Sequence, residues 1–438
     1  LPQENLGDTN ANIPRIQNLE YFSGKVNNPK ICVEVIGRKA TNDRVNGLSG
    51  FLNQASRLGK RRGNMTLKQM LEEMLSTKAS DLHLRIGVKP TLRIDGILRL
   101  ISEEPLTPQE MEEITNQILN EDQKKRFLQR NELDLALSVS KMGRFRINFY
   151  RQRGTVGIAI RSVNTIIPSF EELNLPLVLK NLADHRRGLI ILTGTTGSGK
   201  STTLASMIDH INTTRSENIL TIEDPIEYIH RNKKSIICQR EIGMDTESFV
   251  TALRHAFRQD PDVILVGEIR DLETMSIALT ASDTGHLVMT TLHTLNAVET
   301  VNRIISFFPP HQHQQIRLLL SATLKAIVCQ RLLPRCDGPG RVPAVEVLVN
   351  TGAVREYIID PLKTPLILEL IESGSIQYGM QSFDQSIMDI YKKGMISYEE
   401  ALLQATNPSD FELRIKGITG ASDRGWHEFE KTTEKKGF

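Results

Sequence analysis

One tryptophan and four cysteines among 438 residues leave little material for a stapled or metal-caged fold. Cys32, Cys238, Cys329 and Cys336 are too few and too scattered for a disulfide framework, so a reduced, cytoplasmic setting is expected. Long apolar runs are lacking as well. None approaches the roughly 18 residues needed to cross a bilayer, and the first residues have no apolar export core. An excess of one charge is also missing. Lys and Arg number 54 against 52 Asp and Glu, a net +2, which excludes a global basic signature for nucleic acid. What is present, 39% hydrophobic and 24% charged residues, describes a folded globular chain, and the length allows two to three domains.

The first 64 residues stand apart. They hold ten basic and five acidic side chains, ending in the cluster Arg57, Lys60, Arg61 and Arg62, with poor hydrophobic periodicity. They read as a disordered, solvated extension, or else as a weak anchor for anionic lipid. From residue 66 the pattern becomes regular. Leu67, Met70, Leu71 and Met74 share one helical face, Leu82, Leu84 and Ile86 alternate as a strand, and Asp95-Gly96 marks a hairpin between residues 91–94 and 97–101. A helical stretch over 108–130 and strands over 145–149 and 156–160 complete an α+β module of residues 65–163. A proline-bearing linker follows at 164–176, then a parallel α/β domain with C-terminal helices over 177–417 and a flexible tail over 418–438. Strands are expected at 188–193, 219–222, 263–266 and 287–291, helices at 203–211 and 246–257. Beyond Pro310 only helices are expected, the first over 311–333.

The sharpest motif is Gly194, Thr195, Thr196, Gly197, Ser198, Gly199, Lys200 and Ser201, which satisfies the phosphate-loop pattern. An apolar strand (Leu189 to Leu192) precedes it. Leu204, Met207, Ile208 and Ile211 follow on one helical face, so the context is the one the motif requires. Such a loop wraps backbone N–H groups around phosphates. Lys200 neutralises their charge, Ser201 faces Mg²⁺, and the site runs on through Thr202. Hydrolysis also needs a carboxylate, and two apolar strands end in one: Glu223-Asp224-Pro225 and Gly267-Glu268. Asp usually ends the second of these strands, and Gly267 occupies that place here. The metal duty therefore passes to Glu268, through water, and Glu223 becomes the preferred general base, with the reverse assignment open. His286 and His293 bracket the strand 287–291, placing one at each end as candidate γ-phosphate sensors. Arg144 and Arg146 share a strand face opposite Phe145, Ile147 and Phe149. On the residues alone, a solvated edge and a pair of arginines reaching a neighbour's phosphates both remain open.

The chain resembles the type II/IV secretion ATPases, and among them the pilus-retraction, PilT-like group, from about residue 65 to 417. Four boxes carry the resemblance: the phosphate loop, Glu223-Asp224-Pro225-Ile226-Glu227, Gly267-Glu268-Ile269-Arg270-Asp271 and Thr290-Thr-Leu-His293-Thr294. Ala79-Ser-Asp-Leu-His83, Arg93-Ile-Asp-Gly96, Phe145-Arg-Ile-Asn148 and Gly379-Met-Gln-Ser-Phe-Asp384 support it. The resemblance implies a PAS-like N-terminal domain, a RecA-like ATPase domain, a homo-hexameric ring using ATP and Mg²⁺, and depolymerisation of a pilus against an inner-membrane platform protein. It implies work at the cytoplasmic face of that membrane and no specific nucleic acid. It assigns Glu223 and Glu268 as the acidic carboxylates, His286 and His293 as the histidine box, Arg144 and Arg146 as trans-acting arginines, and Arg93 to the base or sugar side of the nucleotide. Cys329 and Cys336 have no second pair, so the zinc site usual in assembly ATPases is missing, which favours retraction over extension. Ala353 to Asp360 keeps Ala353, Arg355 and Ile358 of the retraction signature but lacks its second arginine, which leans towards a PilU-like accessory paralogue. An extension or secretion ATPase, a nucleic-acid-translocating ring and a nucleotide-binding regulator also stay open.

Overall fold

The computed structural model describes residues 65–418 except Asp95 and Lys141, so the readings for 1–64 and for the tail beyond 418 lie outside the described residues. Two sheets carry the chain. The first has strands β1 (Asp81–Arg85), β2 (Thr91–Ile94), β3 (Ile97–Leu100), β4 (Glu132–Val139), β5 (Gly143–Gln152) and β6 (Thr155–Ser162), in the order β3-β2-β1-β6-β5-β4 and wholly antiparallel. Helices Leu67–Ser76, Pro108–Ile118 and Glu121–Arg130 accompany it, each opened by a capping box, at Thr66, Thr107 and Asn120. Alternation puts Phe145, Ile147 and Phe149 in the core with Leu82, Leu84 and Ile158, while Arg144 and Arg146 take the other face. Phe127 meets Phe149 edge-on, ring centroids 5.8 Å apart. Phe145 is fully buried, so Phe145→Ala is expected to cost about 3–5 kcal/mol, seen as a lower urea midpoint at unchanged slope.

The second sheet contains β7 (Gly188–Thr193), β8 (Asn218–Glu223), β9 (Ile236–Glu241), β10 (Val263–Val266), β11 (Leu287–Leu292), β12 (Leu324–Pro334) and β13 (Arg341–Val349). Their order is β13-β12-β7-β11-β10-β8-β9, parallel throughout except for the β12–β13 hairpin. Both faces are covered, as the unbroken apolar strands require. Ile190 and Leu192 point to a core shared with Leu204, Met207 and Ile211 of the helix Lys200–Thr214. Leu189 and Ile191 point to the opposite core, shared with the helices Phe249–Ala256, Leu272–Asp283, Ala297–Ser306 and His313–Thr323. The α/β architecture expected from the sequence is thus the one observed.

One expectation is overturned. The helix expected over 311–333 stops at Thr323, and Leu324–Pro334 is instead β12, paired parallel to β7 and antiparallel to β13. Its apolar run suits a buried strand as well as a helix, and tertiary pairing decides between them. Helices do follow β13, beginning with Gly352–Ile359. Among the described residues no helix is long and apolar enough to cross a membrane.

Candidate functional site

Parallel strands send their carboxyl ends to one edge of a sheet, and the candidate residues gather there. β7 ends at Thr193 and turns through the phosphate loop into the helix Lys200–Thr214. β8 ends at Glu223, β10 is followed by Gly267 and Glu268, and β11 by His293. Together they line one cavity of about 540 Å³, with Thr196, Gly197, Gly199, Lys200, Ser201 and Thr202 on the loop side.

The loop is folded for an anion. Gly194 has φ 138°, and a Cβ on it would collide with the Gln330 carbonyl and lie 2.6 Å from the Ser198 hydroxyl, so only glycine fits. Gly199 caps the helix without a side chain, which leaves its first N–H groups for a ligand. The Ser198 hydroxyl is buried and unpartnered. Lys200, also buried, donates to the carbonyls of Gly194 (2.7 Å) and Thr195 (3.0 Å). Burial lowers the lysine's pKa, opposed by the fields of Glu268 and Glu227.

The two carboxylates live in different surroundings. Glu223 accepts hydrogen bonds from Thr221 Oγ1 (2.6 Å) and Gln239 Nε2 (3.2 Å), yet burial outweighs them and pushes its pKa above the ordinary 4.5. Glu268 pairs with the Arg270 guanidinium and lies 3.3 Å from His293 Nε2. The glycine before it has a local cause: a Cβ on Gly267 would sit only 3.3 Å from Glu223 Cα and from the Ile222 carbonyl. The backbones of β8 and β10 would have to give by a few tenths of an ångström to admit a side chain there.

Other sequence candidates lie elsewhere in the chain. His286 precedes β11, at the end of the sheet opposite the loop. Its Nδ1 is 3.0 Å from the Ala281 carbonyl and its ring packs edge-on against Phe257. The strand that carries His293 into the cavity therefore carries His286 away from it, which corrects the pairing of the two as sensors within one chain. Arg93 donates to the Gly96 carbonyl (2.8 Å) and stays on the first hairpin. Arg144 donates to Glu241 Oε2 at 3.1 Å, tying the first sheet to β9. Arg146 lines a second cavity of about 430 Å³ with Arg126, Arg130 and Glu241. None of these three arginines lines the loop cavity of its own chain.

Residues outside the sequence-based set complete the walls. Gln330 sits under the loop and accepts from Thr203 Oγ1 at 2.8 Å, and Arg341 Nη1 reaches the Gly197 carbonyl at 3.4 Å. Both stand on the β12–β13 hairpin, which was not expected, so nothing pointed to them. Tyr228 and His230 follow the acidic box and line the cavity with its Glu227, and their alternation after the box was the available signal. The Tyr228 hydroxyl is 3.0 Å from Thr202 Oγ1. Its backbone pairs with Asn164 just past β6: Asn164 N–H donates to Glu227 (3.3 Å) and Ile229 N–H donates to Asn164 (2.9 Å).

A parallel sheet whose glycine loop and helix N-terminus face two strand-end carboxylates defines a phosphate-loop nucleotide-binding protein. More narrowly, the chain belongs to the type II/IV secretion system protein family, whose model matches residues 61–358. It is 43% identical to the type IV pilus ATPase PilU of Pseudomonas aeruginosa over 356 residues, 80% of this chain and 92% of that protein. It is 41% identical to the type IV pilus retraction ATPase PilT of the same organism over 347 residues, 79% of this chain and 100% of that protein. The solved structure of the pilus retraction motor PilT with bound ADP superposes with a TM-score of 0.74 at 43% identity, covering 80% of this chain and 99% of that one.

Proposed function

We propose that the protein is a motor ATPase that hydrolyses ATP to drive type IV pilus retraction. One observation carries this reading: Lys200, a helix N-terminus and the carboxylates of Glu223 and Glu268 all face a single cavity. Lys200 exchanges the carbonyls of Gly194 and Thr195 for phosphate oxygens when nucleotide enters. Ser201 and Glu268 offer the oxygen donors that Mg²⁺ takes, commonly with water between, and these two would hold it. Bound there, Mg²⁺ supplies charge neutralisation at the β- and γ-oxygens. Glu223 takes the proton of the attacking water, because desolvation makes its carboxylate the better acceptor, whereas Glu268 already receives Arg270 and His293.

A base acts only when ionised, so raising its pKa moves the loss of activity to higher pH. The acid limb of kcat/KM is therefore expected above 4.5, and Glu223→Gln is expected to abolish the limb together with most turnover. A phosphate-release assay across the acid range checks this. A limb at or below 4.5 refutes the assignment of Glu223.

In the same reading, residues 65–163 form a PAS-like domain joined by 164–176 to a RecA-like domain of 177–417, and six chains form a ring at the cytoplasmic face of the inner membrane, on a platform protein. Arg144 and Arg146 then act on a neighbouring subunit's phosphates. For Arg144 that delivery exchanges its ion pair with Glu241. The test is a count of surface pili after gene deletion, complemented by wild type and by Lys200→Ala. Over-piliation rescued only by wild type is the expected result, and bare cells indicate an extension ATPase. An accessory, PilU-like role is favoured by the missing second arginine after Arg355. It predicts that deletion weakens retraction without abolishing it.

A further inference from the structure

The cavity has walls of two characters. Lys200, Glu268, Arg270 and Glu227 make one part of it strongly charged, as a polyphosphate and its cation require. The lining also includes Thr202, Leu204, Ala205, Tyr228 and His230, side chains with no formal charge at neutral pH. Tyr228 and His230 alternate along an extended segment and so share a side, and the Tyr228 hydroxyl is already fixed at Thr202. The His230 backbone is held in turn, its N–H donating to Gln239 Oε1 at 2.9 Å. The ring is not satisfied: its Nδ1 is buried without a hydrogen-bond partner. An orphaned buried polar atom is costly, and a ligand group bonded to it removes that cost. Burial also pulls the imidazole down to a pKa of about 4, so at neutral pH the ring is uncharged, with one donor and one acceptor nitrogen. A neutral ring of that kind suits hydroxyls and base edges rather than phosphate.

We propose that His230 reads the nucleoside half of the bound nucleotide, hydrogen-bonding the sugar or base while Tyr228 closes that end of the cavity against Thr202. The inference rests on the nucleotide reading of the phosphate loop and adds to it the residue that distinguishes a nucleotide from a bare polyphosphate.

The test uses calorimetric titration of the full chain, in the presence of magnesium, with ADP and with inorganic tripolyphosphate. His230→Ala is expected to weaken ADP about tenfold, the equivalent of one lost hydrogen bond near 1.4 kcal/mol, while tripolyphosphate stays within about twofold. Retained tripolyphosphate binding also shows that the loop is folded in the variant. His230→Asn, which keeps a polar atom near the position of Nδ1, is expected to recover part of the loss. A penalty for 2′-deoxy-ADP that the wild type shows and His230→Ala does not places the contact on the sugar, and the same pattern with GDP places it on the base. Unchanged ADP affinity in His230→Ala, or equal losses for ADP and tripolyphosphate, overturns the proposal and leaves the nucleotide reading intact. A wild-type chain that binds neither ligand overturns both.

Discussion

Lys200→Ala is expected to lose nucleotide affinity by at least about a hundredfold while the fold melts close to its normal temperature. The ammonium makes two hydrogen bonds to loop carbonyls in the free protein, and in the bound one it makes charge-assisted bonds to phosphate, worth roughly 1.5–3 kcal/mol each. The alanine variant forfeits the second set. It is spared the desolvation that burying the charge imposes, and that limits the damage to the free fold. Titration with a fluorescent ADP analogue reads the affinity, and thermal unfolding checks the fold. Tight binding by the variant would remove the phosphate loop from the site.

Glu268→Ala is expected to separate binding from turnover. The loop, the helix N-terminus and Lys200 remain, so ATP affinity should stay within a few-fold. Turnover should fall about 10²–10³-fold, the usual consequence of removing one preorganised electrostatic partner of a transition state. The substitution also leaves Arg270 and His293 without their shared carboxylate. A His293→Ala variant should therefore show a milder form of the same defect, and combining the two should add little beyond Glu268→Ala alone, because they act as a unit. Single-turnover phosphate release together with equilibrium ATP binding decides it. Normal turnover by Glu268→Ala would strike Glu268 from the metal shell.

The loop and the strand-end carboxylates were legible because each is a local string whose flanking strand or helix can be read beside it. Knowing that the strands are parallel was enough to bring Glu223, Glu268 and His293 together, and the same logic separates His286 from them. The chain enters β11 at His286 and leaves it at His293. The β12–β13 hairpin was not legible. Ala326 to Cys329 is a short apolar run that suits either secondary structure, and Pro343 argues against a strand unless that strand lies at a sheet edge, as β13 does. Missing the hairpin meant missing Gln330 and Arg341. β4 is a different omission: Leu133, Leu135 and Leu137 alternate with less buried neighbours, so its signal was there in the residues. The partners of Arg93 and Arg144 are long-range or turn-dependent facts that spacing cannot supply. The Glu241 that holds Arg144 is 97 residues away.

The short backbone pairing of Asn164 with Tyr228 fastens the exit from the first sheet directly to the rim of the cavity. Linkage makes such a joint work in both directions. If occupancy of the cavity displaces the first sheet, then holding that sheet in either position must shift nucleotide affinity in return.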